Sequence, residues 1–371
     1  MHKNISYILA VVSLVISSAV RADDRKVLTE IYQAVVNDYY QNVSLNEIVS
    51  PALKQLTYLD KNVRVADDNH RVTLYVKGQA REVRRKPTEP RNIEKWVTFT
   101  EDFLKTARSC SAELRRKDFE MIDTMFAFGV KKFDKDSNYY PDLELSHKPT
   151  SEFKSQRAFY ERLLPEGILY IRLGAINKYT VANVRKSLAA YPTLKALLLD
   201  LRGNPGGILQ EAVKLADMFL DGGIVASAQG RITEYYNAHD GDVLANKPIA
   251  ILIDKHSASS AEVFAAALQE QSRAKIIGTQ SYGKGTMQKV ITLSNNSRLA
   301  LTSANIYTPS ERNLARGGIV PDICTSGESD NADVERILRQ NKGLQFCNPE
   351  DRFSANIDLS VAKAQLLEGV Y

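Results

Sequence analysis

Apolar runs alternate with helical patterns through the second half of the chain. Three runs are apolar at nearly every position, as in strands buried on both faces. They are Gly167–Leu173, Leu194–Leu201 and Pro248–Asp254. Helical spacing follows the first run over Val181–Tyr191 and returns after the third over Val263–Leu268. Strands that alternate with helices predict an α/β core with a mostly parallel sheet.

The first half of the chain is patterned differently. Apolar residues at helical spacing predict four helices, and a short alternating stretch predicts a hairpin. The helices are Leu28–Tyr40, Leu45–Leu56, Asn92–Cys110 and Leu114–Val130, and the hairpin strands are Arg71–Val76 and Ala80–Val83. This half therefore predicts a mainly helical lobe. A last helix is expected at Leu359–Leu367.

The first 22 residues have the pattern of an export signal. Lys3 precedes a mostly apolar stretch at Ile5–Ile16, and Val20 and Ala22 put small residues where a signal peptidase cleaves. The apolar stretch is short for a membrane span. We expect cleavage after Ala22 and a periplasmic or secreted protein, with an uncleaved anchor as the weaker alternative. No stable membrane span is expected after cleavage.

Composition and charge limit the kinds of partner and ligand that we expect. The 371 residues are 44% hydrophobic and carry a formal charge of +5, which falls by two once Lys3 and Arg21 are removed. A net positive charge this small does not indicate nucleic-acid binding. The basic run Arg84–Lys86 is too short to indicate it either. Asp134, Asp136 and Asn138 alternate like the start of a calcium loop, but the required glycine and distal glutamate are missing. No metal and no cofactor are expected.

Two turns carry candidate chemistry. Ser257–Ser260 lie between a buried strand and a helix, which would place a serine at the open edge of the sheet beside the first helix amides. A serine in this position is commonly only a helix cap. Lys284 lies between Gly283 and Gly285, and two glycines allow a tight turn from which the lysine can point into a site.

Five segments together resemble the carboxyl-terminal processing (tail-specific) serine proteases. They have the order and residue types of that family and span roughly Gly167 to Ile323. They are Asp200–Gly207, Ser257–Glu262, Gly283–Gly285, Tyr307–Ser310 and Gly318–Asp322. Each segment alone is weak evidence, but their joint occurrence is specific. The resemblance implies a core similar to the crotonase and Clp-protease fold.

The resemblance also implies roles for individual residues. The family nucleophile stands three places before a glutamate, here Glu262, which indicates Ser259. The family lysine follows 25 residues later, at Lys284, and completes a Ser-Lys dyad. Gln288 matches a glutamine that orients the lysine, although an ordinary surface glutamine is the alternative. The N–H groups of Gly207 and Ser260 match the oxyanion hole, although Gly206 and Gly207 would also suit a plain turn.

Lysine works as a base only when it is neutral. A free lysine side chain has a pKa near 10.4 and is protonated at neutral pH. Burial among apolar groups can lower a lysine pKa by about 3–5. We therefore expect Lys284 to be largely buried when substrate is bound.

The segment before the core departs from the family pattern. Residues 141–166 stand where the family has a peptide-binding PDZ domain, but they are fewer than the roughly 50 residues of a small domain. The expected parts of the chain are a signal peptide (1–22), a helical cap lobe with a short hairpin (23–140), a linker (141–166), a protease core (167–323) and a tail with a helix (324–371). In the tail, Cys324 and Cys347 are placed to form a disulfide in an exported protein, which would leave Cys110 over and buried.

These patterns favour an exported serine endopeptidase. Its substrate would be a protein or peptide cut near its C-terminus through an acyl-enzyme. Two other functions remain open on the same core. One is a non-catalytic peptide- or lipid-binding protein, and the other is a narrow-specificity peptide-resistance protease. The joint presence of Ser259, Lys284, Gln288 and the double glycine argues against a core that has lost catalysis.

Overall fold

The computed structural model describes residues 24–141, 159–239, 241–244, 247–340, 345–350 and 356–368. The expected signal peptide and most of the expected linker lie outside these residues. The chain divides into two compact units. The first comprises Met1–Lys148 and Gln288–Ala304, and the second comprises Pro149–Met287 and Asn305–Tyr371.

The first unit is mainly helical, as the sequence predicts. Residues 24–38 are helical (α1). The other helices are α2 (Asn46–Lys54), α3 (Ile93–Cys110), α4 (Ala112–Arg116) and α5 (Met121–Phe133). The strands β1 (Val63–Asp67), β2 (Arg71–Val76) and β3 (Gln79–Arg85) form an antiparallel sheet. β4 (Asn138–Tyr140) pairs antiparallel with the start of β13 (Arg298–Tyr307), and β12 (Thr286–Thr292) also neighbours β13.

One predicted helix of this unit is wrong. The pattern over Leu114–Val130 predicts a single helix, but α4 ends before Lys117, and a short 3-10 turn at Asp118–Glu120 precedes α5. The backbone of Lys117, at φ −100° and ψ 28°, leaves the helical region. The side chain of Ser111 accepts the Leu114 N–H at 3.1 Å and so caps a separate short helix.

The core of the first unit is built from large side chains. The helices bury several aromatic residues almost completely: Tyr32, Trp96, Phe103 and Phe126. Their two polar groups are satisfied, because the Tyr32 hydroxyl lies 2.8 Å from Thr100 Oγ1 and the Trp96 indole N–H donates to the Glu89 carbonyl at 3.0 Å. Burial of this much apolar surface stabilises the helices more than their own propensities do.

The second unit contains the predicted mostly parallel sheet. Its order is β14 (Ile323–Cys324), β11 (Lys275–Gly278), β10 (Ile249–Ile253), β7 (Ala196–Asp200), β6 (Ile168–Leu173) and β5 (Phe159–Leu163). All neighbours are parallel except β5 and β6. β7 and β10 are buried at every position, which matches their continuous apolar runs. The α/β class predicted from the sequence is confirmed.

Helices surround this sheet. They are α6 (Thr180–Ala190), α7 (Leu209–Asp217), α8 (Ser260–Glu270), α9 (Val334–Gln340) and α10 (Asn356–Glu368), and a hairpin of β8 (Gly223–Gly230) and β9 (Thr233–Ala238) accompanies them. α8 is buried from Ser260 to Leu268. Among the described residues, no helix combines the length and apolar character needed to cross a bilayer.

The cysteines behave largely as expected. Cys324 and Cys347 form a disulfide, so the predicted pairing is confirmed. Cys110 is free but only half-buried, so its expected burial is wrong. Cys110 is the last residue of α3, where the chain turns to begin α4, and this junction leaves part of the side chain accessible.

Candidate active site

Three turns of the second unit leave the same edge of the parallel sheet. β7, β10 and β11 are adjacent and parallel, so their carboxyl ends lie together. We call residues 203–207 the glycine turn, residues 254–260 the serine turn and residues 281–285 the lysine turn. Ligands of open α/β sheets bind at this kind of edge.

Ser259 stands at the junction of the serine turn and α8 with an unusual backbone. Its φ of 58° and ψ of −125° are those of the first central residue of a type II′ turn, a position that favours glycine. A non-glycine residue in this region is strained, and such strain concentrates at functional sites. The side chain is half-buried, so its hydroxyl keeps some access to solvent.

The two neighbouring serines have different surroundings. Ser257 is buried, and its hydroxyl donates to the Leu201 carbonyl at 2.8 Å while accepting the Asp254 N–H at 2.9 Å. Ser260 is buried as well, at 2% exposure. Ser257 therefore has a structural role, and Ser259 is the member of the three that is most accessible.

The serine and glycine turns are joined through backbone groups. Asp254 Oδ1 accepts the Gly203 N–H at 2.9 Å, and the Ala258 N–H donates to the Asn204 carbonyl at 2.9 Å. Asn204 is fully buried, and its side chain donates to the Leu173 carbonyl at 2.8 Å. These bonds hold the two turns at a fixed separation.

The last two glycines of the glycine turn, Gly206 and Gly207, are required by close approach. A Cβ on Gly206 would lie 2.8 Å from Ser259 Cβ and 2.9 Å from the Ser260 nitrogen. A Cβ on Gly207 would lie 1.9 Å from the Ile176 carbonyl oxygen. Both residues also have positive φ, at 94° and 148°. Glycine at 206 therefore lets the glycine turn pack directly against the serine turn, and glycine at 207 lets it pack against Ile176.

Two backbone N–H groups suit an oxyanion hole. Among the described residues, the N–H groups of Gly207 and Ser260 donate no hydrogen bond. The Ser260 N–H is one of the first amides of α8. These amides lack intrahelical acceptors and form the positive end of the helix dipole. Free amides at such an end can bind a developing anion.

Replacing Gly207 with alanine should slow the reaction of Ser259 by roughly 10–100-fold, because the added Cβ must displace the Ile176 carbonyl and with it the N–H group. The measurement is the rate at which a fluorophosphonate labels Ser259. Gly203→Ala is the matched control, since Gly203 has a positive φ of 73° but nothing within 4 Å of the added Cβ. Equal labelling rates for the two variants would contradict the close-approach argument.

Glu262 joins the serine and lysine turns. Its carboxylate is 1% exposed and accepts four hydrogen bonds. Oε2 accepts the N–H groups of Ser259 at 2.8 Å and Lys284 at 2.9 Å. Oε1 accepts the hydroxyl of Ser281 at 2.5 Å and the N–H of Gly283 at 2.7 Å. One buried carboxylate thus fixes the backbone of both turns.

The segment Gly318–Asp322 supports this carboxylate. The Ile319 N–H donates to Ser281 Oγ at 2.7 Å, and a Cβ on Gly318 would lie 2.9 Å from Glu262 Oε1. Burial raises the pKa of Glu262, and the hydrogen bonds from Ser281 and the backbone amides oppose that rise without cancelling it. The carboxyl group therefore binds a proton at higher pH than an ordinary glutamic acid does.

The remaining predicted site residues lie in three different settings. The backbone of Lys284 is fixed by Glu262, but its side chain is exposed. Among the described residues, no hydrogen bond joins the Lys284 amine to the Ser259 hydroxyl. Gln288 lies on β12, among the residues grouped with the first unit, and is half-buried. His256 is exposed and bonds to Asp254 through its backbone N–H.

A buried ionic network lies at the end of β7. Asp200 is fully buried and pairs with Arg202 at 2.6 Å, while Tyr170 donates to it at 2.7 Å. Burial alone would raise the pKa of Asp200, but the Arg202 guanidinium holds it below its ordinary value. Arg202 also reaches Asp358 of α10 at 3.1 Å. The start of the glycine turn is thereby fastened to the C-terminal helix.

In the region that resembles the start of a calcium loop, Asp134 accepts hydrogen bonds from neighbouring groups. Asp134 Oδ2 accepts the hydroxyls of Ser137 at 2.5 Å and Thr302 at 2.6 Å, and Oδ1 accepts the Asp136 N–H at 3.1 Å. These bonds close a turn. In the part of the chain that the structure describes, no group of three or more His, Cys, Asp or Glu side chains could hold a metal ion.

The sequence did not reveal several residues that build this site. Glu262 was recognised only as a marker of Ser259, although the spacing of Ser259 and Glu262 is that of a helix capping box. Nothing in the sequence indicated that Asp254, Asn204 and Asp358 bond to the turns. Their partners lie far away along the chain, and only the folded sheet brings them together.

Part of the chain is similar to known peptidases. Residues 167–325 match the model of Peptidase family S41. A carboxy-terminal-processing protease of Bartonella bacilliformis is 42% identical over 163 residues, covering 42% of this chain and 38% of that protein. A chloroplastic C-terminal processing peptidase of Tetradesmus obliquus is 32% identical over 175 residues, covering 46% and 38%.

Solved structures give a similar match. A structure described as a photosystem II D1 C-terminal processing protease is 29% identical, with a TM-score of 0.41 and 48% of each chain covered. The chain thus spans less than half the length of these relatives. The residues matched by the family model, 167–325, include the three turns.

Proposed function

We propose that this chain, whose residues 167–325 match the model of Peptidase family S41, is an exported serine endopeptidase that cuts proteins or peptides near their C-termini. The observation that carries the proposal is the Glu262 carboxylate, which accepts the backbone N–H groups of both Ser259 and Lys284. A serine and a lysine whose backbones share one buried acceptor are held in a fixed relation. Catalytic groups need this kind of preorganisation.

The proposed reaction uses Ser259 as nucleophile and Lys284 as base. The neutral lysine amine takes the hydroxyl proton while Ser259 Oγ bonds to the scissile carbonyl carbon. The resulting oxyanion accepts hydrogen bonds from the N–H groups of Gly207 and Ser260. The lysine proton passes to the leaving amine, and water then hydrolyses the acyl-enzyme. No metal or redox step enters this scheme.

The exposed side chain of Lys284 is compatible with this scheme once substrate is included. An ammonium in water is strongly hydrated and remains protonated. A peptide lying across the serine and lysine turns would remove water from the amine and favour its neutral form. Gln288, which follows Lys284 by four residues, is proposed to orient the amine.

Export and substrate class complete the proposal. The first 22 residues carry the signal pattern, and the relatives are described as carboxy-terminal-processing proteases. We infer a protein or peptide substrate, a periplasmic or secreted location and no requirement for a cofactor. A non-catalytic binding protein and a peptidase limited to one peptide are the outcomes that the following test separates from it.

The test is C-terminal mapping of an unstructured protein with an apolar tail, incubated with the full chain and with Ser259→Ala as the blank. We expect wild type to shorten the substrate from its C-terminal region, and Ser259→Ala to leave it intact. Fluorophosphonate labelling of wild type at Ser259 without any cleavage would indicate a narrow-specificity peptidase. Absence of both labelling and cleavage would indicate a binding protein and refute the proposal.

A further inference from the structure

We propose that residues 345–350, tied to β14 by the Cys324–Cys347 disulfide, position the lysine turn, so that reducing this disulfide slows the reaction at Ser259. We call residues 345–350 the strap. This inference rests on the proposed serine peptidase function. It adds that the redox state of this disulfide controls the reaction rate through the position of the lysine turn.

The strap reaches the lysine turn through Gln280. The Cys347 N–H donates to Gln280 Oε1 at 3.2 Å, and Gln280 Nε2 donates to the Gly317 carbonyl at 2.6 Å. Gln280 immediately precedes the lysine turn. Its side-chain oxygen therefore accepts a hydrogen bond from the strap, and its side-chain nitrogen donates one to the segment at Gly317.

The segment at Gly317 lies directly against the lysine turn. A Cβ on Gly283 would lie 2.9 Å from the Gly318 nitrogen, and a Cβ on Gly285 would lie 2.2 Å from the Ala315 nitrogen. With no space between them, a displacement of the segment shifts the turn. The backbone that carries Lys284 is thus held on one side by Glu262 and on the other by a chain of contacts that ends at the strap.

The disulfide fixes the strap to the same place in the sheet. The Thr325 N–H, next to Cys324, donates to the Gly278 carbonyl at 3.0 Å. Cys347 Sγ lies 3.5 Å from the same oxygen, a contact and not a hydrogen bond because a disulfide sulfur carries no proton. Both ends of the disulfide therefore meet at the last residue of β11, just before Gln280.

Reduction would release the strap. A dithiol supplies two electrons and two protons, the Cys324–Cys347 bond becomes two thiols, and the dithiol becomes a disulfide. Among the described residues, the polar contacts that then hold the strap are the Cys347–Gln280 bond and an ion pair between Lys255 and Glu350. An exposed ion pair holds little, and one hydrogen bond does not offset the chain entropy gained on release. Gln280 then loses its fixed partner.

The first experiment compares oxidised and reduced enzyme in a Cys110→Ser background, which removes the third thiol. We expect the reduced protein to be labelled by a fluorophosphonate about tenfold more slowly, since small displacements of catalytic groups have effects of this size or larger. Peptide cleavage should show the loss in kcat, with KM within about twofold. Reoxidation should restore the rate. Free thiols are counted to confirm each state.

Variants test the route through Gln280. Gln280→Ala should be labelled slowly in both redox states, because it lacks the link that reduction breaks. Gln271→Ala is the matched control, since Gln271 also donates from its amide to a backbone carbonyl, that of Ile224 at 3.0 Å, but has no described hydrogen bond to the strap or to the three turns. It should label at the wild-type rate and keep its sensitivity to reduction.

The outcomes separate this inference from the proposed function. If oxidised wild type is not labelled at all, the serine peptidase function fails, and this inference fails with it. Equal labelling of oxidised and reduced enzyme refutes the inference alone. It is also refuted if Gln280→Ala remains tenfold sensitive to reduction. Loss of the near-ultraviolet circular dichroism on reduction would mean that the disulfide holds the fold, which overturns a positioning role as well.

Discussion

Replacing Lys284 with methionine is expected to lower kcat by at least about 10⁴-fold, the size of effect seen when one member of a serine–base pair is removed. Methionine keeps a long flexible side chain but has no group that can take the Ser259 proton. The main-chain N–H of residue 284 still donates to Glu262, so the lysine turn should keep its conformation. The measurement is cleavage of the apolar-tailed protein, with the melting temperature recorded for each variant.

Two further variants show whether Lys284 acts as a base. Lys284→Arg keeps the positive charge, but a guanidinium is not deprotonated in proteins, so this variant should be as inactive as Lys284→Met. Lys275→Met is the matched control, because Lys275 is an exposed lysine at the start of β11, and its activity should be that of wild type. Activity of Lys284→Arg near wild type would mean that charge alone is required. The base would then have to be sought elsewhere, first by His256→Ala.

Much of the second unit could be predicted from local pattern. β7 and β10 are the continuous apolar runs of the sequence, and a strand covered on both faces needs apolar residues at every position. Parallel strands that alternate with helices place their following turns at one edge. The serine, glycine and lysine turns each follow such a strand, which places them at the same edge of the sheet.

The features of the site and fold that the sequence did not predict depend on contacts between residues far apart in the chain. Glu262 and Lys284 are 22 positions apart, and the hydrogen bond between them exists only because β10 and β11 are neighbours. Local patterns likewise gave no sign that Gln288–Ala304 would group with the first unit. Apolar periodicity shows which face of an element is buried but not which element covers it.

Removing the carboxylate of Glu262 should have the second largest effect. Glu262→Ala leaves the partly buried N–H groups of Ser259, Gly283 and Lys284 without their acceptor, which costs at most about 1–3 kcal/mol for each group. Both turns lose their common anchor, and we expect kcat to fall by about 10²–10³-fold. Glu270→Ala is the matched control at the other end of α8. Glu270 accepts the Ser310 N–H at 2.8 Å, outside the three turns.

Glu262→Gln should have an intermediate effect. A glutamine oxygen in the place of Oε2 keeps the bonds from Ser259 and Lys284, while its nitrogen in the place of Oε1 can donate to Ser281 but faces the Gly283 N–H. One bond is lost, and we expect roughly a tenfold fall in kcat. A kcat of Glu262→Ala within threefold of wild type would contradict the positioning role.

The pH dependence gives the sharpest check, because a protonated Glu262 resembles glutamine: one oxygen then carries a proton and stops accepting. Burial raises the pKa of Glu262, so the ratio of wild-type to Glu262→Gln activity should fall towards one as the pH drops through that raised pKa. The ratio cancels any effect of pH that is the same in both proteins. Stability should change in the opposite sense. The folded protein binds this proton more tightly than the unfolded chain does. The wild-type free energy of unfolding should therefore fall as pH rises from the ordinary glutamate pKa to the raised one. Glu262→Gln should not show this fall, because it has no carboxyl group at this position. An activity ratio that stays constant with pH would show that the ionised carboxylate does not hold the two turns.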